Sequence, residues 1–272
     1  MKEGYFVTRT YKAGKVFEKI KYWVPGKRPS KLSRSAKAEM KKQEQNESQA
    51  IRAAARVLNE NFSQGDILLG LDYSDKGLER LNEKREEHKA ECDEGLETYL
   101  AAEHELKLFL RRVKRECDKC GIEFKYAIAA TSDMDSKTGE VVRVHHHMII
   151  NREALEMAKD KWPYGGVNHS TLSNQPDYTP VAEYIIKQVR KIKDAKKFVC
   201  SRNLKRPMPK DRIVPSSAEL RVPRGGVLLH RNEFKPGRAQ YIRYVMLSPV
   251  GQVKSEERKE KRNGRNAVAF QH

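Results

Sequence analysis

Three consecutive histidines, His145 to His147, stand inside the run VVRVHHHMIIN from Val141 to Asn151. Apolar residues flank them on both sides, several of them β-branched, and such a run predicts a buried strand. Side chains alternate across a strand, so His145 and His147 are expected on one face and His146 on the other. Two imidazoles about 7 Å apart on one face of a rigid strand can share a divalent metal. A single buried histidine is commonly a satisfied core residue. Three in succession inside a strand point to a site.

The segments around this run supply the rest of a fold. DILLGLDYSD is a short apolar run bounded by turn residues and predicts a first core strand over Asp66 to Tyr73. A long polar segment, Leu78 to about Cys120, has helical spacing, with a break expected at Gly95. FKYAIAATS, residues 124–132, predicts a second strand, and the polar turn Asp133 to Gly139 returns the chain into the histidine strand as an antiparallel partner. A short helix from Arg152, a small strand near Val167 and a helix over Thr179 to Ile192 follow. This order is an α+β pattern with an antiparallel sheet. Before the core, residues 1–60 read as a basic N-terminal arm, with strands at Tyr5 to Tyr11 and Val16 to Val24 and a helix from Ser33 to Leu58. After the core at residues 61–209, residues 210–272 read as a basic C-terminal extension, with short strands at Val227 to His230 and Gln240 to Leu247 and a charged tail from Lys254.

Charge narrows the partners. The chain of 272 residues carries a formal charge of +18, which calls for a polyanion, nucleic acid or an anionic membrane surface. No apolar run approaches the roughly 18 residues of a membrane span, and MKEGYFVTRTYK lacks a signal-peptide core, so a soluble intracellular protein is expected. Basic residues concentrate between Arg190 and Arg212, and Arg190, Lys191, Arg202, Lys205 and Arg206 are the expected DNA contacts. Cys117 and Cys120 form a C-x-x-C at the end of a helical pattern with no second pair behind it, which reads as ordinary reduced thiols.

The helix PVAEYIIKQVRKI completes a site. On a wheel of 100° per residue, Val181, Ala182, Ile185, Val189 and Ile192 share the core side. Tyr184, Lys187, Gln188 and Lys191 fall together on the adjoining stripe. A phenol is a weak nucleophile near neutrality because its pKa is about 10. A divalent metal on His145 and His147 would neutralise a non-bridging oxygen of a phosphodiester. Tyr184 would then attack in line, forming a covalent phosphotyrosine and releasing a 3′-hydroxyl, with Lys187 stabilising charge on the phosphate or the phenolate. The covalent bond conserves the phosphodiester energy, so such an enzyme cuts and rejoins without ATP.

Three motifs in order resemble those of the rolling-circle replication initiators with an HUH endonuclease domain, the replication-associated proteins of small single-stranded DNA phages and plasmids. NFSQGDILLGLDYSD is similar to the first motif, RVHHHMII to the metal-binding second and EYIIKQ to the third, Y-x-x-K. FVCSRNLKRP is similar to a segment that follows the catalytic domain in phage relatives. The likeness runs from about Asn61 to Pro209, and Gly70 and Asp72 stand where the family commonly has threonine. The resemblance implies a central antiparallel sheet of about five strands flanked by helices, with His145 and His147 as ligands of Mg²⁺ or Mn²⁺ and Tyr184 as the single nucleophile. It also implies a third ligand near the end of the preceding strand, where Asp133 is the only acid, with Gln188 or water as the substitute. The implied partners are single-stranded DNA at a replication origin and a host helicase and polymerase, in the cytoplasm of a bacterial host cell. No G-x-x-x-x-G-K-[ST] motif accompanies them, so unwinding would fall to the host.

A conjugative relaxase or a single-strand transposase would use the same chemistry. A reading from another class is a non-catalytic nucleic-acid-binding protein whose histidines hold a structural metal. That explains the charge but not the order of the motifs. A ribosomal-type structural protein fits the composition and gives no reason for Tyr184 and Lys187 on one stripe.

Overall fold

The computed structural model describes residues 4–26, 36–85, 96–135, 137–138, 140–190, 197–234 and 239–246. Among these the chain is α+β, with two antiparallel sheets and five α-helices, and it divides into two units. Residues 32–207 form one. Residues 1–31 and 208–272 form the other.

The larger unit is built on a four-stranded sheet, β4-β5-β3-β6, from β3 (Ile67–Asp72), β4 (Tyr126–Met134), β5 (Val141–Ile150) and β6 (Val167–Thr171). Period-two alternation decides which residues meet which helices. From β5, Val144, Met148 and Ile150 join a core made with α3 (Glu97–Lys119) and α4 (Leu155–Lys161), centred on Phe109 and Trp162. On the other side Ile149 packs with Ala127 and Ala130 under α1 (Ala36–Asn61) and α5 (Thr179–Lys187). Helix α2 (Asp75–Arg85) adds Leu81 to the first core. The expected long helical segment is thus α2 and α3, and Gly95 lies outside the described residues.

Strand β4 carries a bulge. Its pairing with β5 steps from Ala127↔Ile149 to Ala130↔His147, so one residue more is spent on β4 than on its partner. Ile128 sits at the step with φ 51°, a left-handed conformation rare for a β-branched residue. Burial of its side chain and the bridge from Ala129 to Val199 hold it there. A one-residue insertion inverts the facing of everything beyond it.

Helix α5 ends at Lys187, short of the Ile192 expected from periodicity. The carbonyl of Gln188 accepts from the amides of both Asp133 and Met134 at 3.2 Å, which ties the helix end to β4 and stops its next turn. The helix therefore reaches the sheet where β5 carries its histidines.

The smaller unit joins the two ends of the chain. β1 (Tyr5–Ala13), β2 (Val16–Val24), β7 (Lys210–Val214), β8 (Gly226–Phe234) and β9 (Ala239–Met246) form a sheet in the order β7-β1-β2-β9-β8. The N-terminal and C-terminal segments, expected as separate arms, pair directly through β1–β7 and β2–β9, while α1 belongs to the larger unit. The tail from Lys254 lies outside the described residues. No helix among the described residues is long and apolar enough to cross a membrane.

Candidate active site

The register of β5 puts its histidines on opposite faces. His146 lies on the aromatic side, fully buried, its Nε2 sharing a 2.9 Å hydrogen bond with the Tyr73 hydroxyl and its ring edge-on to Trp162. Burial, with smaller contributions from the flanking histidines, pushes its pKa down to about 3, so the ring is neutral. It fastens the strand from behind.

His145 and His147 share the other face, with ring centroids 4.8 Å apart and nearly perpendicular planes. Gly70 on β3 pairs with His147, and Ala130 and Ser132 on β4 pair with His147 and His145. These small neighbours leave space above the imidazoles. Burial, with His145 adding to it and Gln188 opposing, lowers the His147 pKa to about 4, which keeps a lone pair available on the ring. Its Nδ1 is buried without a hydrogen-bond partner.

The surroundings of His145 are more specific. Its Nδ1 lies 2.8 Å from the Arg143 carbonyl, which only accepts, so Nδ1 carries the proton. Its Nε2 lies 3.2 Å from Oε1 of Gln188. The amide of Gln188 cannot be turned round, because its Nε2 donates to the Tyr184 carbonyl at 3.0 Å. In a neutral His145 two lone pairs therefore confront each other. Either a second proton or a cation between them relieves that confrontation. A carbonyl behind Nδ1 is also how metal-bound histidines are commonly oriented.

This donor set fits a divalent cation. His145, His147 and the Gln188 amide oxygen would hold it, and the orphaned nitrogen of His147 is what such a site requires. Among the described residues no third histidine, cysteine or carboxylate joins the pair to make a metal-binding group. Asp133, the acid expected as third ligand, is paired elsewhere. Its Oδ2 accepts from Nε and Nη2 of Arg190 at 2.7 and 2.6 Å, and the side chain is 6% exposed. The bulge explains the difference. Without it Ala129 and Thr131 would pair with His147 and His145 and Asp133 would share their face; with it, Ala130 and Ser132 take those places.

Tyr184 stands over this face from α5. Its ring centroid is 5.3 Å from that of His147, and the residue is 43% exposed. Tyr184 and Gln188 are one helical turn apart, so a single helix offers the phenol to His147 and the amide to His145. Lys187 points its ammonium at Glu183, Nζ–Oε1 2.6 Å, and that carboxylate holds its pKa above the ordinary lysine value. Lys187 is expected from the sequence at the phosphate or the phenolate, and the signal for its pairing instead with Glu183 is their i,i+4 spacing.

Of the expected DNA contacts, Arg190 is committed to Asp133 and Lys191 lies outside the described residues. Arg202, Lys205 and Arg206 are exposed and pair with no carboxylate among the described residues. Their backbone is fixed by buried Leu204 and by two 2.8 Å hydrogen bonds between Asn61 and the main chain of Lys205. Cys117 is buried on the core face of α3 and Cys120 is exposed at its end. Comparison with protein-family models, with the curated proteins and with the solved structures finds no match.

Proposed function

We propose that the chain is a metal-dependent endonuclease and strand-joining enzyme acting on single-stranded DNA, and that it nicks a replication origin to start rolling-circle replication. The observation that carries this reading is the exposed Tyr184 phenol beside His147, on the helix whose Gln188 faces His145. The likeness of the three motifs to the HUH initiators supports the same reading.

A bound divalent cation would supply charge neutralisation at a non-bridging oxygen of the scissile phosphate. His145, His147 and Gln188 would hold the cation, with His145 braced by the Arg143 carbonyl and Gln188 by the Tyr184 carbonyl. The Tyr184 oxygen forms a bond to phosphorus while the bond to the 3′-oxygen breaks. The phenolic proton passes to solvent, and the departing 3′-oxygen takes one up. The product is a 5′-phosphotyrosine and a free 3′-hydroxyl, and the reverse attack rejoins strands. Lys187 can turn from Glu183 to the phosphate at small cost, since exposed i,i+4 pairs contribute only about 0.3–0.5 kcal/mol. Arg202, Lys205 and Arg206 supply the sequence-independent attraction to the backbone.

The test is mass spectrometry of the full chain after incubation with a pool of single-stranded oligonucleotides and Mn²⁺. A nucleotide-modified peptide containing Tyr184, absent from Tyr184→Phe, is expected. Identical products from both proteins, with no adduct on either, would refute the reading.

A further inference from the structure

The sheet formed by the chain ends is charged unequally on its two faces. The register places Lys12, Lys19, Lys21, Lys210, Arg212 and Arg231 on one face, where Glu233 is the only carboxylate among the described strand residues. On the opposite face Arg9 and Arg243 are matched by Asp211 and Glu18, and Arg9 grips Asp211 with two bonds of 2.7 and 2.8 Å. Part of the basic face is covered. Lys21 donates to the carbonyls of Ser216 and Ala218, Arg231 donates to that of Leu220, and Leu220 packs on Ile242 and Tyr244 of β9.

Apart from Lys21, the half built by β7, β1 and β2 is open, with Lys12, Trp23, Lys210 and Arg212 exposed. There Lys12, Lys19, Lys210 and Arg212 pair with no carboxylate among the described residues. Aromatic rings lie between these cations. Phe6 and Trp23 are cross-strand partners, Lys12 lies 5.9 Å from the ring centre of Phe17, and Lys21 lies 4.8 Å from that of Phe6. Trp23 is 41% exposed, which is costly for so large an apolar ring. Its indole beds on Gly4: a Cβ there would stand 2.3 Å from a ring carbon, so the missing side chain allows the ring to lie against the backbone. Its position is thus set before any ligand arrives.

We propose that this open half-face is a binding surface for single-stranded nucleic acid, with Trp23 stacking a base and Lys12, Lys19, Lys210 and Arg212 holding phosphates. Cations interleaved with a pre-positioned aromatic ring suit an unpaired strand, whose bases have free π-faces. A duplex hides those faces and would engage only the cations. The surface lies wholly in the smaller unit and does not depend on the tyrosine chemistry.

The chain has two tryptophans, and the second, Trp162, is buried in the other unit, so quenching by an added oligonucleotide reports on Trp23. The experiment titrates full-length protein with thirty-residue oligo(dT) in EDTA, where neither a metal nor an origin sequence contributes. Quenching is expected in wild type and its loss in Trp23→Phe. Trp23→Ala should weaken binding roughly 5- to 160-fold, the range for one base stacked on an aromatic ring. The double variant Lys210→Ala/Arg212→Ala should lower the slope of log K against log salt by about 1.4, at about 0.7 per phosphate contact on a single strand. These two residues lie exposed on an edge strand, so they carry the test alone if Trp23→Ala misfolds. Absent quenching at low salt, equal quenching in Trp23→Phe, equal response to a duplex, or an unchanged salt slope would each overturn the proposal. Because cleavage is not measured, failure here leaves the nicking reading standing, and failure of adduct formation leaves this one standing.

Discussion

Gln188 and Asp133 lie at opposite ends of one question, and exchanging each should separate metal binding from stability. Gln188→Ala removes one of three candidate donors, the oxygen 3.2 Å from His145 Nε2, and also the amide bond to the Tyr184 carbonyl. Losing even an outer-shell partner of a metal ligand lowers affinity about 10- to 100-fold, so the loss here should be at least tenfold, about 1.4 kcal/mol. Folding stability without metal should fall by about 0.5–1.5 kcal/mol for the one lost hydrogen bond, to the Tyr184 carbonyl. Asp133→Asn is the converse. It weakens a nearly buried pair with Arg190, so stability should fall by about 1–3 kcal/mol while metal affinity stays within about twofold of wild type. Gln188→Glu keeps an oxygen in place and should recover affinity relative to Gln188→Ala. Calorimetric titration with Mn²⁺ reads affinity, and urea unfolding without metal reads stability. The reasoning fails if Asp133→Asn loses Mn²⁺ tenfold or more while Gln188→Ala binds like wild type.

Other consequences follow from the same geometry. His147→Ala should abolish metal-dependent cleavage and leave low-salt DNA binding within about threefold, because the basic segments carry most of the attraction; a gel-shift titration beside the cleavage assay checks this. Glu105, almost wholly buried, is pushed up by burial, but its bonds to Lys84 and Tyr164 and the nearby Arg112 outweigh that and hold its carboxyl below the ordinary 4.5. Its stabilisation is therefore present above the unfolded-state value and lost as pH falls through the folded one, so Glu105→Gln should flatten the acid side of a plot of Tm against pH below about 4.5. Equal slopes for both proteins would contradict it. Gly77→Ala should cost about 3 kcal/mol or more, the upper range for overpacking, because the new Cβ would stand 1.8 Å from the Tyr164 carbonyl oxygen. An unchanged denaturation midpoint would show that the 164–166 loop moves freely.

Much of the larger unit was legible in the sequence because its signals are local. The apolar runs of β3 and β5 and the 3.6-residue period of α3 and α5 name their elements, and alternation alone sorts His145 and His147 from His146. Pairing between distant segments is not local. β1, β2, β8 and β9 are readable as strands, but nothing in their own periodicity says that the chain ends share a sheet. β7, with the charged run KDRIV, lacks the alternation that marks a half-buried strand, since every residue but Val214 is exposed. Gln188 was placed beside Tyr184 by the wheel, whereas its contact with His145 depends on where α5 stops. That stop is set by the amides of β4 and not by any breaker within the helix.

The identity of the third donor turns on a single residue of offset. FKYAIAATSDM contains no glycine or proline to announce a bulge, and the residue that adopts the left-handed conformation is an isoleucine, the type least expected there. Counted as a regular strand, β4 would present Asp133 on the histidine face and the site would hold two imidazoles and a carboxylate. The extra residue at Ile128 turns Asp133 away toward Arg190 and brings Ala130 and Ser132 beside the histidines. The histidine face then lacks a carboxylate from β4, and the candidate third donor, Gln188, comes from the end of the helix that also bears the phenol. If Gln188 is a donor and Tyr184 the nucleophile, as proposed, any shift of α5 would move both together, so a displaced phenol would also weaken the proposed metal site. Variants that loosen the α5 end, such as Val189→Ala in the buried turn after it, should therefore lower Mn²⁺ affinity and adduct yield in parallel. Adduct yield falling at saturating Mn²⁺ with unchanged affinity would show that the two are not coupled.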